Sequence, residues 1–299
     1  MRSQPFFKIF LIFLLLLAGL VWGVVSQLPD GRLHLIFCDV GQGDAILVVR
    51  RSTQILIDGG PNEKVLSCLS SHLPFWDRQI ELVILTHPEY DHLTGLVSVI
   101  QRYKTLAIVS NSLLAETGIF QKFRQEVVSR QIPVHSPAAG EEIRVGEIKL
   151  RILSPEQKLG EEIVWRSLAE PKVLGLTPFS GNFNKTAIVT LLDFGDFQAL
   201  LPADIGAEEE KKILPGLEEV EVLKVGHHGS KYSTSKELLA VTKPKLAVIS
   251  VGANNRYGHP TPEVLERLAA VGAKIRRTDL EGEIEVVSDG RNWYQARPP

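Results

Sequence analysis

The stretch Leu82-Val-Ile-Leu-Thr-His-Pro-Glu-Tyr-Asp-His-Leu-Thr-Gly95 decides how the rest of the chain is read. Leu82 to Leu85 are apolar in succession, the mark of a short buried strand. His87, Glu89, Asp91 and His92 follow at once, and every one of them can ligate a metal. Beyond a strand end, residues 87, 89 and 91 can converge on one point while His92 enters from the next position. Pro88 stiffens the turn, and Gly95 allows a sharp path into a following helix. Two imidazoles and two carboxylates so close together suit one divalent cation of borderline to hard character, or a pair of them. Taken alone, the same residues would serve as a solvated polar loop. The decision comes from what surrounds them.

Three more loops of this kind follow apolar runs. Asp204 ends Ala199-Leu-Leu-Pro-Ala203, where a carboxylate can bridge two metals or simply cap a helix. His227-His228-Gly229-Ser230 follows the strand pattern Val222 to Val225; one ring can ligate while the other bonds a carboxylate or substrate. His259 lies in Asn254-Asn-Arg-Tyr-Gly-His-Pro260, after the strand pattern Leu246 to Val251. Ligands gather outside strand ends at one edge of a layered fold, so these loops are expected to meet. Asp58, beside Gly59 and Gly60, is placed to orient a ligating histidine from behind. Asp39 and Asp44 flank Gly41-Gln-Gly43 and are read as turn-shaping or supporting residues; His34, His72 and His135 are read as structural or solvated.

Periodicity and turn signals predict a meander of strands at 33–37, 45–49 and 54–58, a helix over 62–73, and then strand–helix alternation: 82–85, 94–103, 106–109, 117–131. A β-rich patch follows, with a hairpin turning at Asp193-Phe-Gly-Asp196. Strands at 220–225, 246–251, 274–277 and 283–288 then alternate with helices near 207–214, 234–241 and 261–271. Two halves of this form predict two sheets packed face to face with helices outside. Residues 156–183 fit neither pattern and are expected to be a lid, a binding loop or a surface decoration.

With 44% apolar and 23% charged residues the chain is a folded protein rather than a disordered one. Phe6 to Val25 is apolar except for Lys8 and long enough to span a bilayer. Arg2 and Lys8 precede or enter it and no basic cluster follows, which places the N-terminus in the cytoplasm and the remainder outside. A cleaved signal sequence ending near Ser26 is the alternative, and it too exports the domain. The expected organisation is therefore an anchor or signal over 1–28 and a hydrolase domain over 29–299. The formal charge is −2, and Arg2 and Lys8, with no acid before residue 29, leave −4 on the rest. This excludes a basic nucleic-acid platform. Cys38 and Cys68 read as small buried hydrophobes, with a disulfide open to an exported protein.

These motifs, in order, resemble a known family. Thr86 to His92 resembles the H-x-H-x-D-H signature of the metallo-β-lactamase fold. Phe37-Cys-Asp-Val-Gly-Gln-Gly-Asp44, Ile57-Asp-Gly-Gly60, Leu223-Lys-Val-Gly-His-His-Gly-Ser230 and the segment Ser250 to Pro260 look like the exported metallo-β-lactamase-like domain of ComEC competence proteins. The resemblance runs from about residue 33 to the end. It implies an α+β fold, a four-layer αββα sandwich, with a metal-dependent hydrolase site and degradation of one DNA strand during uptake. Carried over by position, His87, Asp91 and His92 match signature ligands, Asp204 the bridging Asp, His227 or His228 the last ligand, and His259 the family's late His. Asn184 falls where this family often has Asn, near where many relatives place a further His. Glu89 stands where the signature has its middle His and where ComEC-like domains often carry Asp. That leaves few nitrogen ligands at the first metal position and admits manganese as well as zinc, or one ion only.

The expected activity is hydrolysis by a metal-bound hydroxide, with a phosphodiester, single-stranded DNA among them, as substrate. The metal ligands are taken as His87, Glu89, Asp91, His92, Asp204 and His227. Asp91, His228 and His259 are assigned to orienting water and handling charge. Ser230, Lys231, Arg256 and Asn184, with Lys224 nearby, are assigned to the substrate. The same chemistry would cleave an ester, lactone or amide. A non-catalytic DNA-uptake or assembly module with a decayed site is the rival outside enzymology, motivated by Glu89 and Asn184. With a single span, DNA translocation would require a separate channel.

Overall fold

The computed structural model describes residues 4–25, 30–111, 113, 115–158, 179 and 181–296. Helix α1 (Gln4–Val25) contains Phe6–Gly23, whose mean hydropathy of 2.4 and length suffice to cross a membrane; among the described residues it is alone in this. None of that segment is buried against the rest of the chain.

After α1 the meander forms as read: β1 (Leu33–Phe37), β2 (Ile46–Arg50) and β3 (Thr53–Ile57) are antiparallel neighbours. Helix α2 (Lys64–His72), a short β4 (Gln79–Ile80) and β5 (Leu82–Leu85) follow. Then come α3 (Tyr90–Arg102), β6 (Lys104–Thr105), β7 (Ile108–Ser110), α4 (Gly118–Ser129) and β8 (Val134–His135). The second half begins with β9 (Glu142–Val145), β10 (Ile148–Ser154), β11 (Val189–Phe194) and β12 (Phe197–Leu201), all antiparallel. It continues with β13 (Val222–Lys224), β14 (Leu246–Ile249) and β15 (Lys274–Arg277), all parallel, separated by the helices Lys236–Thr242 and Pro262–Ala270. Strands β16 (Ile284–Ser288) and β17 (Trp293–Gln295) end the described chain.

These strands make an eight-stranded sheet, β17-β16-β1-β2-β3-β5-β7-β8, and a seven-stranded sheet, β15-β14-β13-β12-β11-β10-β9. The period of two along each strand builds the layers. Leu35, Phe37, Ile46, Val48, Ile55, Ile57, Leu82 and Ile84 face the second sheet and pack on Leu150, Leu192, Ala199 and Val248. The alternate residues Ile36, Leu47, Leu56, Val83 and Leu85 face α2, α3 and α4 through Leu69, Leu96 and Phe123. Leu200, Leu223 and Ala247 do the same for the outer helices of the second sheet, through Leu238 and Val264. The result is the αββα sandwich.

Several expectations change. The halves do not stay separate: β16 leaves the second half and pairs with β1, from Leu33 opposite Ser288 to Phe37 opposite Ile284. Strand β17 went unread because Trp293-Tyr-Gln295 is too short to show a period. Helix α3 starts at Tyr90, four residues before its expected start, so Asp91 and His92 sit in its first turn rather than in a loop. Gly95 therefore lies inside α3, not at its entrance. A side chain there would meet the Gly59 carbonyl oxygen at 1.9 Å, and this close approach lets the Gly59-Gly60 turn latch the helix start. Cys38 and Cys68 are bonded to each other, tying the end of β1 to α2. Of the two readings of His34, His72 and His135, the structural one applies: they pair with Glu285, Glu283 and Glu141. Of the 156–183 segment, residues 159–178 and 180 lie outside the described residues.

Candidate metal centre

Parallel pairing explains why the scattered motifs meet. Strands β3, β5 and β7 run parallel in one sheet, and β12, β13, β14 and β15 in the other. Asp58 follows β3, His87 follows β5, Asp204 follows β12, Lys224 ends β13 with His227 and His228 just beyond, and Ser250 follows β14. All are at carboxyl ends of parallel strands, on one edge of the sandwich.

Asp91, His92, Asp204 and His228 come together with one ligand atom each, all within 4.8 Å of one another. His92 Nε2 is 3.4 Å and His228 Nε2 3.2 Å from Asp204 Oδ2, and His228 Nε2 is 3.4 Å from Asp91 Oδ2. The rings are aimed from behind. His92 Nδ1 donates to Asp58 Oδ2 at 2.8 Å, and Asp58 is itself held by the Thr86 amide at 2.9 Å and hydroxyl at 2.7 Å. His228 Nδ1 donates to the Ser250 carbonyl at 2.9 Å. Protons on both Nδ1 atoms leave both Nε2 lone pairs turned toward Asp204.

Those Nε2 atoms, with that of His87, are buried and have no hydrogen-bond partner among the described residues. An orphaned buried polar atom costs about 1–3 kcal/mol, and native interiors avoid them. Those of His92 and His228, converging on Asp91 and Asp204, fit a divalent ion, and the mixed nitrogen and oxygen donors suit zinc, manganese or iron alike. The electrostatics agree. Burial alone would lower His228, but Asp204 and Asp44 outweigh it and raise it to about 10. His92 is likewise pushed well up against its burial by Asp204 and Asp58. Burial would raise Asp204 and Asp91, yet the facing imidazoles, and Lys224 beside Asp204, hold both far below the usual carboxylate range. The pocket is built to hold positive charge.

The remaining expected residues surround this group. His87 is fully buried beside His92, ring centroids 4.1 Å apart, and burial followed by the His92 charge pushes it well down. Glu89 occupies the N-cap position of α3, its carboxyl raised by burial and then by Asp91. Asn184 lies in the turn Phe183–Thr186 with its side-chain oxygen buried and without a partner among the described residues. His227 stands outside the four-residue group, its Nε2 3.9 Å from Asp204 Oδ2. His259 continues outward, its ring 5.9 Å from His227 and stacked on Tyr257 at 5.8 Å. Ser230 is buried, whereas Lys231 lies over the exposed Tyr232 ring at 5.1 Å and Arg256 over exposed Tyr257 at 5.3 Å.

Lys224 is placed otherwise than expected. It is completely buried, so it cannot reach out to a phosphate; its ammonium pairs with Asp44 and lies 3.2 Å from Asp204 Oδ1. Its position as the last residue of an otherwise apolar strand was the available signal. Asp204 caps no helix, since Gly206 is the N-cap of Ala207–Ile213. Backbone strain collects here as well: Asp58, Ala203, His227 and His228 all have positive φ, at 59, 52, 47 and 53°. Side chains other than glycine adopt that conformation at a cost, and active sites are where it is usually met.

Two sheets back to back, with histidines and aspartates gathered at their strand ends, define the sandwich used by metal-dependent hydrolases. The metallo-beta-lactamase superfamily profile matches residues 38–253, and the chain belongs to that superfamily. It is similar to ComE operon protein 3 of Bacillus subtilis, at 27% identity over 90% of this chain and 35% of that protein. It is also similar to recombination protein 2 of Haemophilus influenzae, at 29% identity over 91% of this chain and 30% of that protein. The chain thus spans about a third of the curated relatives it matches. Among solved structures, the metallo-beta-lactamase fold protein YhfI of Bacillus subtilis superposes with a TM-score of 0.55 at 12% identity, over 89% of this chain and 100% of that one. The likeness to the ComEC-type domain and the αββα fold both stand.

Proposed function

We propose that this protein is a metal-dependent phosphodiesterase acting on single-stranded nucleic acid, held at the membrane by α1 with residues 29–299 outside the cytoplasm. The observation that carries the reading is the convergence of unpartnered His92 and His228 Nε2 atoms on Asp91 and Asp204. Asp91, His92, Asp204 and His228 would hold the ion, with His87 and Glu89 beside them. A bound divalent ion would supply Lewis acidity and an ionised water at neutral pH. Asp91, kept ionised by His228 and His92 against its burial, would accept a hydrogen bond from the attacking water and so orient it. His227 and His259, both held neutral by burial, offer N–H donors to the phosphoryl and leaving oxygens.

The substrate class rests on the rim. Tyr90, Tyr232 and Tyr257 are exposed around the site, two of them under a cation. Rings run inward from Tyr257 through His259 and His227 to His228, the last two 6.3 Å apart. Bases stack on such rings while Lys231 and Arg256 meet the backbone, which favours single strands over duplexes. The pairing of Cys38 with Cys68 supports an oxidising compartment.

The test is metal content and turnover of the detergent-solubilised full chain. Bis-aryl phosphodiester, single-stranded DNA and an aryl ester are offered with added manganese or zinc. Bound metal, with cleavage of DNA that His87→Ala and Asp204→Ala abolish, is the expected result. Turnover confined to the ester would move the reading to carboxylic substrates. A folded, metal-free, inert protein would leave the assembly module.

A further inference from the structure

Lys224 places a full positive charge inside the candidate metal centre. Its side chain has no solvent exposure, and burying an ammonium costs several kcal/mol unless it is well paired. Three oxygens pair it: Asp44 Oδ2, Asp204 Oδ1 at 3.2 Å and the Ala203 carbonyl at 3.1 Å. The two oxygens of Asp204 are therefore divided. Oδ1 belongs to the ammonium, and Oδ2 faces His92 and His228. A carboxylate that joins two cations through both oxygens needs both free, and here one is already taken by a cation of the chain.

His87 and Glu89 stand beside the centre as further donors that a second ion would need. Neither belongs to the group whose ligand atoms all lie within 4.8 Å of one another. Asp44 is matched by Lys224, and Asp58 accepts from His92, so neither has a free oxygen turned to an ion at the Asp91–Asp204 group.

We propose that Lys224 is a resident cation standing in for a second metal ion. It fixes Asp204 as a one-oxygen ligand and limits the centre to a single tightly held divalent ion at Asp91, His92, Asp204 and His228. This rests on the metal-hydrolase reading, and its test is separable from that one because it counts ions rather than turnover. The full chain in detergent is titrated with Mn2+, and bound metal is counted by native mass spectrometry and elemental analysis. Electron paramagnetic resonance then reports whether the ions are isolated or spin-coupled. The wild type takes up one ion with an uncoupled spectrum. The double variant Asp44→Asn/Lys224→Met removes the ammonium with its counter-charge, so that no buried charge is orphaned, and takes up two ions with a coupled spectrum. Lys224→Arg keeps the charge and stays at one.

Two coupled ions in the wild type, or a folded double variant still holding one, overturn the proposal while leaving the hydrolase reading intact. No bound ion in the folded wild type overturns both. Should the double variant fail to fold, the wild-type count and spectrum decide.

Discussion

Asp58 never faces the cluster's interior, yet the direction of His92 depends on it. Asp58→Asn replaces the acceptor of the Nδ1 proton with an amide that can offer the wrong partner. Supporting groups of this type are worth about 10–100-fold in metal affinity, and a loss of that order for Mn2+ is expected by titration calorimetry, with the fold preserved. A second residue tests the electrostatics away from the metal. His34 is raised above its ordinary value chiefly by its bond to Glu285 Oε1 at 2.6 Å, with burial opposing. A group raised in the folded state contributes stability that is fully present below the unfolded value near 6.5 and lost as pH rises through the folded value. Urea denaturation should therefore show less stability at high pH than at pH 6, and His34→Gln should flatten that difference. His92, Asp204 and the His227-His228 pair were legible in the sequence because each interrupts or ends an apolar run. Lys224 was legible only as a cation, since its direction depends on Asp44, 180 residues away along the chain and joined to it solely by the fold.

Helix α3 carries two ligands in its first turn, so its seating is a functional matter. The Asp44 amide donates to the Asp91 carbonyl at 3.2 Å, the Gly59 amide to the His92 carbonyl at 2.7 Å, and the Gly95 amide to the Gly60 carbonyl at 2.9 Å. Gly95→Ala drives a methyl into the Gly59 carbonyl and must push α3 outward. A loss of about 1–3 kcal/mol is expected in urea denaturation, in line with other overpacked sites, along with weaker metal binding because Asp91 and His92 move with the helix. Strands that are short apolar runs, such as β1, β2 and β5, were legible almost to the residue. The start of α3 was not. Pro88-Glu89-Tyr90 reads as a turn by composition, and only contact with the Gly59-Gly60 turn lets the helix begin so early.

At the scale of the molecule, the disulfide closes a loop between residues 30 apart in sequence, across β2 and β3. Chain-entropy arguments give such a closure roughly 3–4 kcal/mol. Cys38→Ala/Cys68→Ala should lower the denaturation midpoint accordingly, and reductant should reproduce the shift in the wild type alone. The layered fold followed from the order of strands and helices, but the exchange of β16 into the first sheet had no local signal, because pairing partners at the two ends of a chain leave no mark on either. That exchange has a consequence in time. Every candidate ligand lies before residue 229, yet β1 waits for β16 at Ile284–Ser288 to cover its free edge. At about 5–20 residues per second, a growing chain holds all its metal-binding side chains before the first sheet has its outer strand. Secure assembly of the centre then waits until residue 288 has been made, and a ribosome stalled near residue 250 would carry the chemistry's parts without the frame that aligns them.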